Sequence, residues 1–305
     1  MDHAEHETVV KVTSLSRRFK RKEALRDVSL QVTRGTVFGL VGENGAGKTT
    51  IIRHLLGALK PDAGTVRVFG VDPVYDPVAV LSRTGYLSED RDLPMWMRVA
   101  ELMRYMRAFY PNWDPDYAER LREQFELPAD AKVRHLSRGE KAKAGLLVAL
   151  AHRPELLLLD EPSSGLDAVA RKDILAAVVR SVAEEGRTVV FSSHLLDEVE
   201  RVADHVLMLH DGRVALDMPM DELKAAHHRY VVRFPQPQTS CPDLPGVLHS
   251  EGEGREWSMV CAGDGAIFAA AVNRAGGAIV ESSVPTLESV FIARVAGGNR
   301  SSEAA

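Results

Sequence analysis

Apolar and polar residues alternate at positions 9–12 and again at 28–32, the two-residue period of half-buried strands. The pattern then changes. Residues 36–41, TVFGLV, are nearly all apolar over a short run. Such a run fits a strand covered on both faces, the mark of a parallel sheet flanked by helices. Short apolar runs return at 156–159 (LLLL), 188–192 (TVVFS) and 206–209 (VLML). Residues 49–59 read as a helix, 60–64 (KPDAG) as a turn and 65–69 as a further strand. Residues 168–184 read as another helix between two of the apolar runs. Strands alternating with helices across short turns predict an α/β fold with a mostly parallel sheet and an antiparallel β edge.

Two stretches depart from that alternation. Within residues 90–150, and most clearly over 100–124, Ala, Leu, Met, Arg and aromatics recur at helical spacing, broken by Pro111 and Pro115. This predicts a helical subdomain inserted into the α/β core. After 228, four prolines (Pro235, Pro237, Pro242 and Pro245) predict a linker or irregular loop. A strand (257–261), a helix (266–275), a strand (278–284) and a helix (287–295) follow, a small α+β appendage. The expected division is a main domain over 1–228, the appendage over 229–296, and a disordered tail over 297–305. No repeat is visible, so the core occurs once.

Composition narrows the function classes. The chain has 305 residues, 45% of them hydrophobic, enough to bury a sizeable core. The formal net charge of -5 provides no global basic field for nucleic acid, and none is expected as a partner. Cys241 and Cys261 fit no metal spacing and no disulfide framework, so both are expected as reduced thiols. The first residues, MDHAEHETVVKV, are acidic and polar, unlike a signal peptide. No window approaches the ~20 apolar residues of a membrane span. A cytoplasmic protein is expected, with any membrane role supplied by a partner.

Chemistry enters at VGENGAGKTT, residues 41–50. Gly42 to Thr49 fits G-x-x-x-x-G-K-[ST], between a predicted strand and a predicted helix. Glycines let the backbone turn its N–H groups toward phosphate oxygens, and the following helix presents its N-terminal dipole to the same anion. Gly42, Asn44, Gly45 and Gly47 are expected to line a nucleotide's phosphates. Lys48 should reach the β- and γ-phosphates, Thr49 should ligate Mg²⁺, and Thr50 should donate a hydroxyl. The run 156–159 ends in Asp160-Glu161, a carboxylate pair at the carboxyl edge of a buried strand. Asp160 should hold Mg²⁺, and Glu161 should act on an attacking water as general base. His194, after the strand at 188–192, is placed to contact a γ-phosphate.

Together these residues resemble the nucleotide-binding subunit of ATP-binding-cassette (ABC) transporters, over roughly 9–223. Residues 42–50 resemble the Walker A loop, and 156–161 resemble Walker B with its catalytic carboxylate. The stretch 86–89, YLSE, is similar to the loop that ends in Gln, here Glu89. The stretch 136–140, LSRGE, resembles the signature LSGGQ. Residues 164–167, SGLD, resemble the D-loop, and His194 the switch histidine. The resemblance implies ATP and Mg²⁺ as ligands. It implies that Phe19 stacks on adenine, that Glu89 keeps an oxygen near Mg²⁺, and that Asp167 belongs to the nucleotide site. Ser137 and the Gly139 amide should meet a nucleotide held by a second copy or a homologous ATPase subunit, completing the site only in a head-to-tail dimer. It further implies an exporter-type ATPase, peripheral on the inner face of the cell membrane and joined to a separate transmembrane subunit; the alternatives are an ABC-type ATPase acting on a non-membrane partner, or a regulatory subunit with weak hydrolysis. Residues 93–97, LPMWM, fall where such a subunit docks; they read equally as local core. Arg138 replaces a signature glycine, and its side chain is free to meet nucleotide, partner or solvent.

Overall fold

The alternation near the N-terminus becomes two long strands, β1 (Thr8–Phe19) and β2 (Lys22–Thr33), paired antiparallel. The inward residues Val10, Val12, Leu15, Val28, Leu30 and Val32 are buried, as the two-residue period requires. These coordinates are a computed structural model describing residues 7–20, 22–90, 92–183 and 185–302. The chain divides into two units, Met1–Val214 and Ala215–Ala305.

In the first unit, β3 (Val37–Gly42) leads into α1 (Lys48–Leu55), and β4 (Ala63–Val68) joins the free edge of β1 to give the order β2-β1-β4. After a short helix α2 (Pro77–Leu81) comes β5 (Thr84–Leu87). The helical segment follows as α3 (Val99–Arg107), α4 (Pro115–Gln124), a 3-10 turn at Val133–His135 and α5 (Arg138–Leu150). Then β6 (Leu156–Asp160), α6 (Ala168–Ala183), β7 (Thr188–Ser193), α7 (Leu196–Val202), β8 (His205–His210) and β9 (Arg213–Pro219) complete a six-stranded sheet, order β5-β6-β7-β3-β8-β9. Four of its strand pairs are parallel. Every residue of β3, β6 and β7 is buried, which explains why those strands read as continuous apolar runs. β9 returns from β8 through Asp211 and Gly212, both at positive φ (47° and 73°), a two-residue turn that makes it an antiparallel edge. One apolar cluster joins Val10, Leu25, Leu40, Ile51, Leu55, Leu158 and Leu207, so α1 is held between the two sheets.

The second unit is a three-stranded antiparallel sheet with helices: α8 (Met220–Ala226), β10 (His227–Gln238), β11 (Val247–Ala262), α9 (Gly265–Arg274), β12 (Ala278–Ser283) and α10 (Leu287–Ser302), strand order β11-β10-β12. Its core gathers Tyr230, Phe234, Trp257, Met259, Cys261 and Phe268.

The two units meet after Val214, and α8 is bonded within the second: His227 Nδ1 lies 2.9 Å from Leu223 O, and Gly263 N donates to Ala226 O at 3.0 Å. The proline-rich stretch is not all loop, since Pro235 and Pro237 lie in β10. They are tolerated because the pairing to β11 breaks between Arg233 and Gln238, so no ladder bond needs their missing N–H. The segment expected as a tail from 297 begins within α10, which extends to Ser302, and residues 303–305 lie outside the described residues. Both cysteines are free thiols. Among the described residues, no helix is long and apolar enough to cross a membrane.

Candidate nucleotide site

The loop between β3 and α1 folds as its glycines dictate. Gly45 and Gly47 take φ of 85° and 115°. A Cβ on Gly47 would lie 2.6 Å from Leu25 Cδ2 and 2.8 Å from Ala24 O, so β2 and the loop meet backbone to backbone. The first bond of α1 runs from Ile51 N to Gly47 O at 3.0 Å. The amides of Lys48, Thr49 and Thr50 before it have no helical acceptor, which makes this end of α1 an anion site. The loop borders a cleft of ≈ 380 Å³ lined by Phe19, Lys22, Ala24, Asn44, Gly45, Gly47, Lys48, Thr49, Thr50, Glu89 and Glu161.

Lys48 is 5% exposed. Its Nζ donates to Gly42 O at 2.6 Å and Glu43 O at 3.2 Å, and pairs with Glu161 Oε1 at 3.0 Å. Glu161 is 4% exposed and has φ 48°, a strained conformation for a residue with a Cβ. That turn aims its carboxylate into the cleft rather than along β6. Its Oε2 lies 2.7 Å from His194 Nδ1. Lys48, Glu161 and His194 thus form one chain of contacts across the ends of α1, β6 and β7.

Asp160 is 1% exposed. Its Oδ1 accepts from Thr49 Oγ1 at 3.1 Å and Ser192 Oγ at 2.7 Å. Burial pushes this carboxyl above its ordinary range, against the pull of those two hydroxyls. A cation would favour its charged form. Among the described residues, no three His, Cys, Asp or Glu side chains form a metal cluster. The hydroxyl of Thr49 and the carboxylate of Asp160 are hard oxygen donors of the kind that would hold Mg²⁺. Glu89, on the loop after β5, is an exposed rim residue of the same cleft. Phe19, at the end of β1, is 41% exposed and presents a ring to the cleft, with the Arg17 guanidinium carbon 4.9 Å from its centroid.

Ser137, Gly139 and Asp167 are not part of that cleft. Ser137 caps α5: its Oγ accepts from Glu140 N at 3.2 Å while Glu140 Oε2 accepts from Ser137 N at 2.7 Å. The Ser137 amide holds the Glu140 carboxyl below its ordinary range. The Gly139 backbone lies against α6, where an added Cβ would be 2.8 Å from Ala170 Cβ. Asp167 Oδ1 caps α6, accepting from Val169 N and Ala170 N at 3.0 and 2.9 Å. The Arg138 guanidinium crosses to Gly165, its Nη1 2.8 Å from where a Cβ would stand. These residues form a second polar face built from the starts of α5 and α6.

Sequence reasoning missed Lys22 and Ala24 on the cleft wall. It also missed Ser192, read only as the end of a strand, whose Oγ both donates to Asp160 and accepts from Glu161 N at 2.9 Å. A hydroxyl at the carboxyl end of a fully buried strand was the available signal. Of residues 93–97, Met97 is buried while Met95 and Trp96 are 47% and 69% exposed, so the segment is only partly core.

The ABC transporter family profile matches residues 25–164. The chain is 34% identical over 226 residues to the ABC transporter ATP-binding protein YtrB of Bacillus subtilis, across 74% of this chain and 77% of that protein. It is 36% identical over 224 residues to the daunorubicin resistance ATP-binding protein DrrA3 of Streptomyces coeruleorubidus, across 72% and 71%. The solved ATP-binding subunit of an ABC transporter matches with a TM-score of 0.65 at 29% identity, over 72% of this chain and 92% of that one.

Proposed function

The chain belongs to the ATP-binding proteins of the ABC transporter family, and from that premise we propose that it powers an exporter by ATP-driven closure of a dimer. The observation that carries this reading is the separation of the two polar faces. The Walker A loop and Glu161 line one cleft, with His194 bonded to Glu161, while Ser137, Gly139 and Asp167 gather elsewhere in the same unit. A second copy turned head to tail brings its signature face to the first copy's cleft, and two ATP molecules lie between them.

Lys48 Nζ pairs with Glu161 Oε1 at 3.0 Å and also donates to the Gly42 and Glu43 carbonyls. A triphosphate offers Lys48 a stronger anionic partner at the β- and γ-oxygens, and Glu161 is released. Glu161 then orients a water and accepts its proton as the water oxygen attacks the γ-phosphorus and the bond to the ADP oxygen breaks. His194 stays on Glu161 and on the γ-phosphate edge. Thr49 and Asp160, with Glu89 nearby, would hold Mg²⁺, which would supply charge neutralisation at the transferred group. Loss of the γ-phosphate lets the two copies part.

The membrane subunit is proposed to seat on the helical segment. Met95, Trp96, Tyr105 and Phe109 are 47%, 69%, 45% and 60% exposed there. A cleft of ≈ 470 Å³ lined by Leu93, Pro94, Tyr105, Glu89, Thr49 and Asp160 runs from that patch to the nucleotide site. The export direction draws on the daunorubicin resistance relative. Such a protein works on the inner face of the membrane.

The test is ATP turnover by the purified chain against its own concentration. A site completed by a second copy gives a rate per subunit that rises with concentration and then saturates, with the molecular mass doubling in ATP. A rate per subunit that is constant down to the lowest concentration, with a monomeric mass in ATP, overturns the composite site.

A further inference from the structure

Glu198, on α7, is a carboxylate with 1% exposure, and no step above uses it. Its Oε2 accepts from Ser163 Oγ at 2.5 Å and from Ser193 Oγ at 3.3 Å. Its other oxygen, Oε1, lies 3.1 Å from Arg171 Nε on α6. Ser163 stands two residues after Glu161, in the turn leaving β6. Ser193 stands immediately before His194, at the end of β7. One carboxylate oxygen therefore holds both chain segments that deliver Glu161 and His194 to each other.

The need for such a tie is physical. Glu161 and His194 sit on separate strand ends and meet through Glu161 Oε2 alone, 2.7 Å from His194 Nδ1 and accepting from His194 N at 3.3 Å. Glu161 also carries positive-φ strain, which persists only where its surroundings over-determine it. Both hydroxyls bonded to Glu198 are themselves buried, at 1% and 0% exposure, so neither exchanges this partner for water. A buried carboxylate is costly unless paired and hydrogen-bonded, and here it has a guanidinium and two hydroxyls. Arg171 also extends the tie to α6, the helix capped by Asp167 and touched by the signature glycine.

We propose that Glu198 is a positioning residue for hydrolysis. It clamps the turn after Glu161 to the strand end before His194, and through Arg171 it passes movement of the α6 start to that pair. The proposal rests on the reading of Glu161 and His194 as the hydrolytic pair.

The experiment measures steady-state ATP turnover per bound nucleotide for the wild type, Ser163→Ala, Glu198→Ala, Glu198→Gln and the double variant Ser163→Ala/Glu198→Ala. Normalising by bound nucleotide removes any loss of folded protein, which a merely structural role would produce. Misplacement of a reacting group by ~1 Å costs roughly 100-fold, and a partial loosening is expected to cost about tenfold. Ser163→Ala should therefore lower kcat about tenfold at unchanged KM, and Glu198→Ala should lower it further. Adding Ser163→Ala to Glu198→Ala should cost less than about twofold, because neighbours in one network are not additive. Glu198→Gln, which keeps an acceptor oxygen, should recover part of the loss. If Glu198→Ala does not fold, the same non-additivity is read between Ser163→Ala and Ser193→Ala. Wild-type kcat in Ser163→Ala, or full additivity in the cycle, overturns the proposal. Glu161→Gln in the same assay separates the premise: if that variant turns over normally, the hydrolytic reading has failed first.

Discussion

Replacing Glu161 by Gln should have opposite effects on the empty and the loaded protein. Lys48 Nζ and Glu161 Oε1 are 3.0 Å apart, with both side chains 5% exposed. Removing one partner of a buried pair costs roughly 3–5 kcal/mol when the other charge is left alone. Lys48 is not left alone, since the Gly42 and Glu43 carbonyls remain at 2.6 and 3.2 Å and the new amide oxygen can accept. We therefore expect about 2 kcal/mol, below that range. For a unit of this size that lowers the nucleotide-free Tm by about 4–8 °C. With a triphosphate bound, Lys48 pairs with phosphate in both proteins and the penalty disappears. The same 2 kcal/mol then appears as tighter ATP binding, about 30-fold in Kd. Turnover falls roughly 100- to 10,000-fold with loss of the general base. Thermal unfolding with and without ATP, a nucleotide titration and a phosphate-release assay read the three quantities. An unchanged Tm together with an unchanged Kd would refute the idea that Lys48 and Glu161 hold each other until nucleotide arrives. Turnover within about tenfold of wild type would remove Glu161 from the role of base.

Three further outcomes are expected. Phe19→Ala should weaken ATP binding about tenfold, the scale of one base–aromatic stack, and leave binding of inorganic tripolyphosphate unchanged; equal losses for both ligands would place Phe19 away from the base. His152, buried against Tyr110 with ring centroids 3.9 Å apart, has its pKa pushed from 6.5 to about 4 by burial. Above pH 6.5 the ring is neutral whether the chain is folded or not; between 6.5 and about 4 only the unfolded chain takes the proton, so stability falls as pH drops through that window, by at most about 3 kcal/mol. His152→Phe should flatten that part of a urea-unfolding series against pH, and an unaltered slope would count against it. Trp96→Ala should leave the turnover of the isolated chain within about twofold while abolishing stimulation by the membrane subunit, since an exposed side chain contributes little to folding; undiminished stimulation would clear Trp96 of docking.

What was legible in the sequence divides along physical lines. The glycine loop and Asp160-Glu161 were visible because each lies at the end of a fully buried strand, where an apolar run stops abruptly at polar residues. β5, with four residues, and β10, with two prolines, were not visible: the first is too short to show a period, and the prolines of the second sit in a break of its pairing between Arg233 and Gln238 and read locally as a loop. Ser192 and Glu198 were missed because the partners that tie them to β6 and its following turn, Glu161 and Ser163, are 31 and 35 residues away in the chain and meet them only once the sheet has formed. Gly139 was expected for close approach to phosphate. The structure adds a reason inside the chain, the 2.8 Å that would separate an added Cβ from Ala170, and no local pattern reports that contact. Glu140, a departure from the signature, is a sound N3 residue of a capping box, a role Ser137 and its spacing already implied.

The two thiols of the second unit differ in a way that invites chemistry from outside the cell. Cys261 is 3% exposed and burial pushes its pKa to about 12, so at neutral pH almost none of it is thiolate. Cys241 lies in the loop between β10 and β11 and is only partly covered. A maleimide or a spin-label reagent should therefore mark one position of the natural chain, with no engineered cysteine and no background to subtract. A dye placed there would report on the surroundings of the second unit in single molecules.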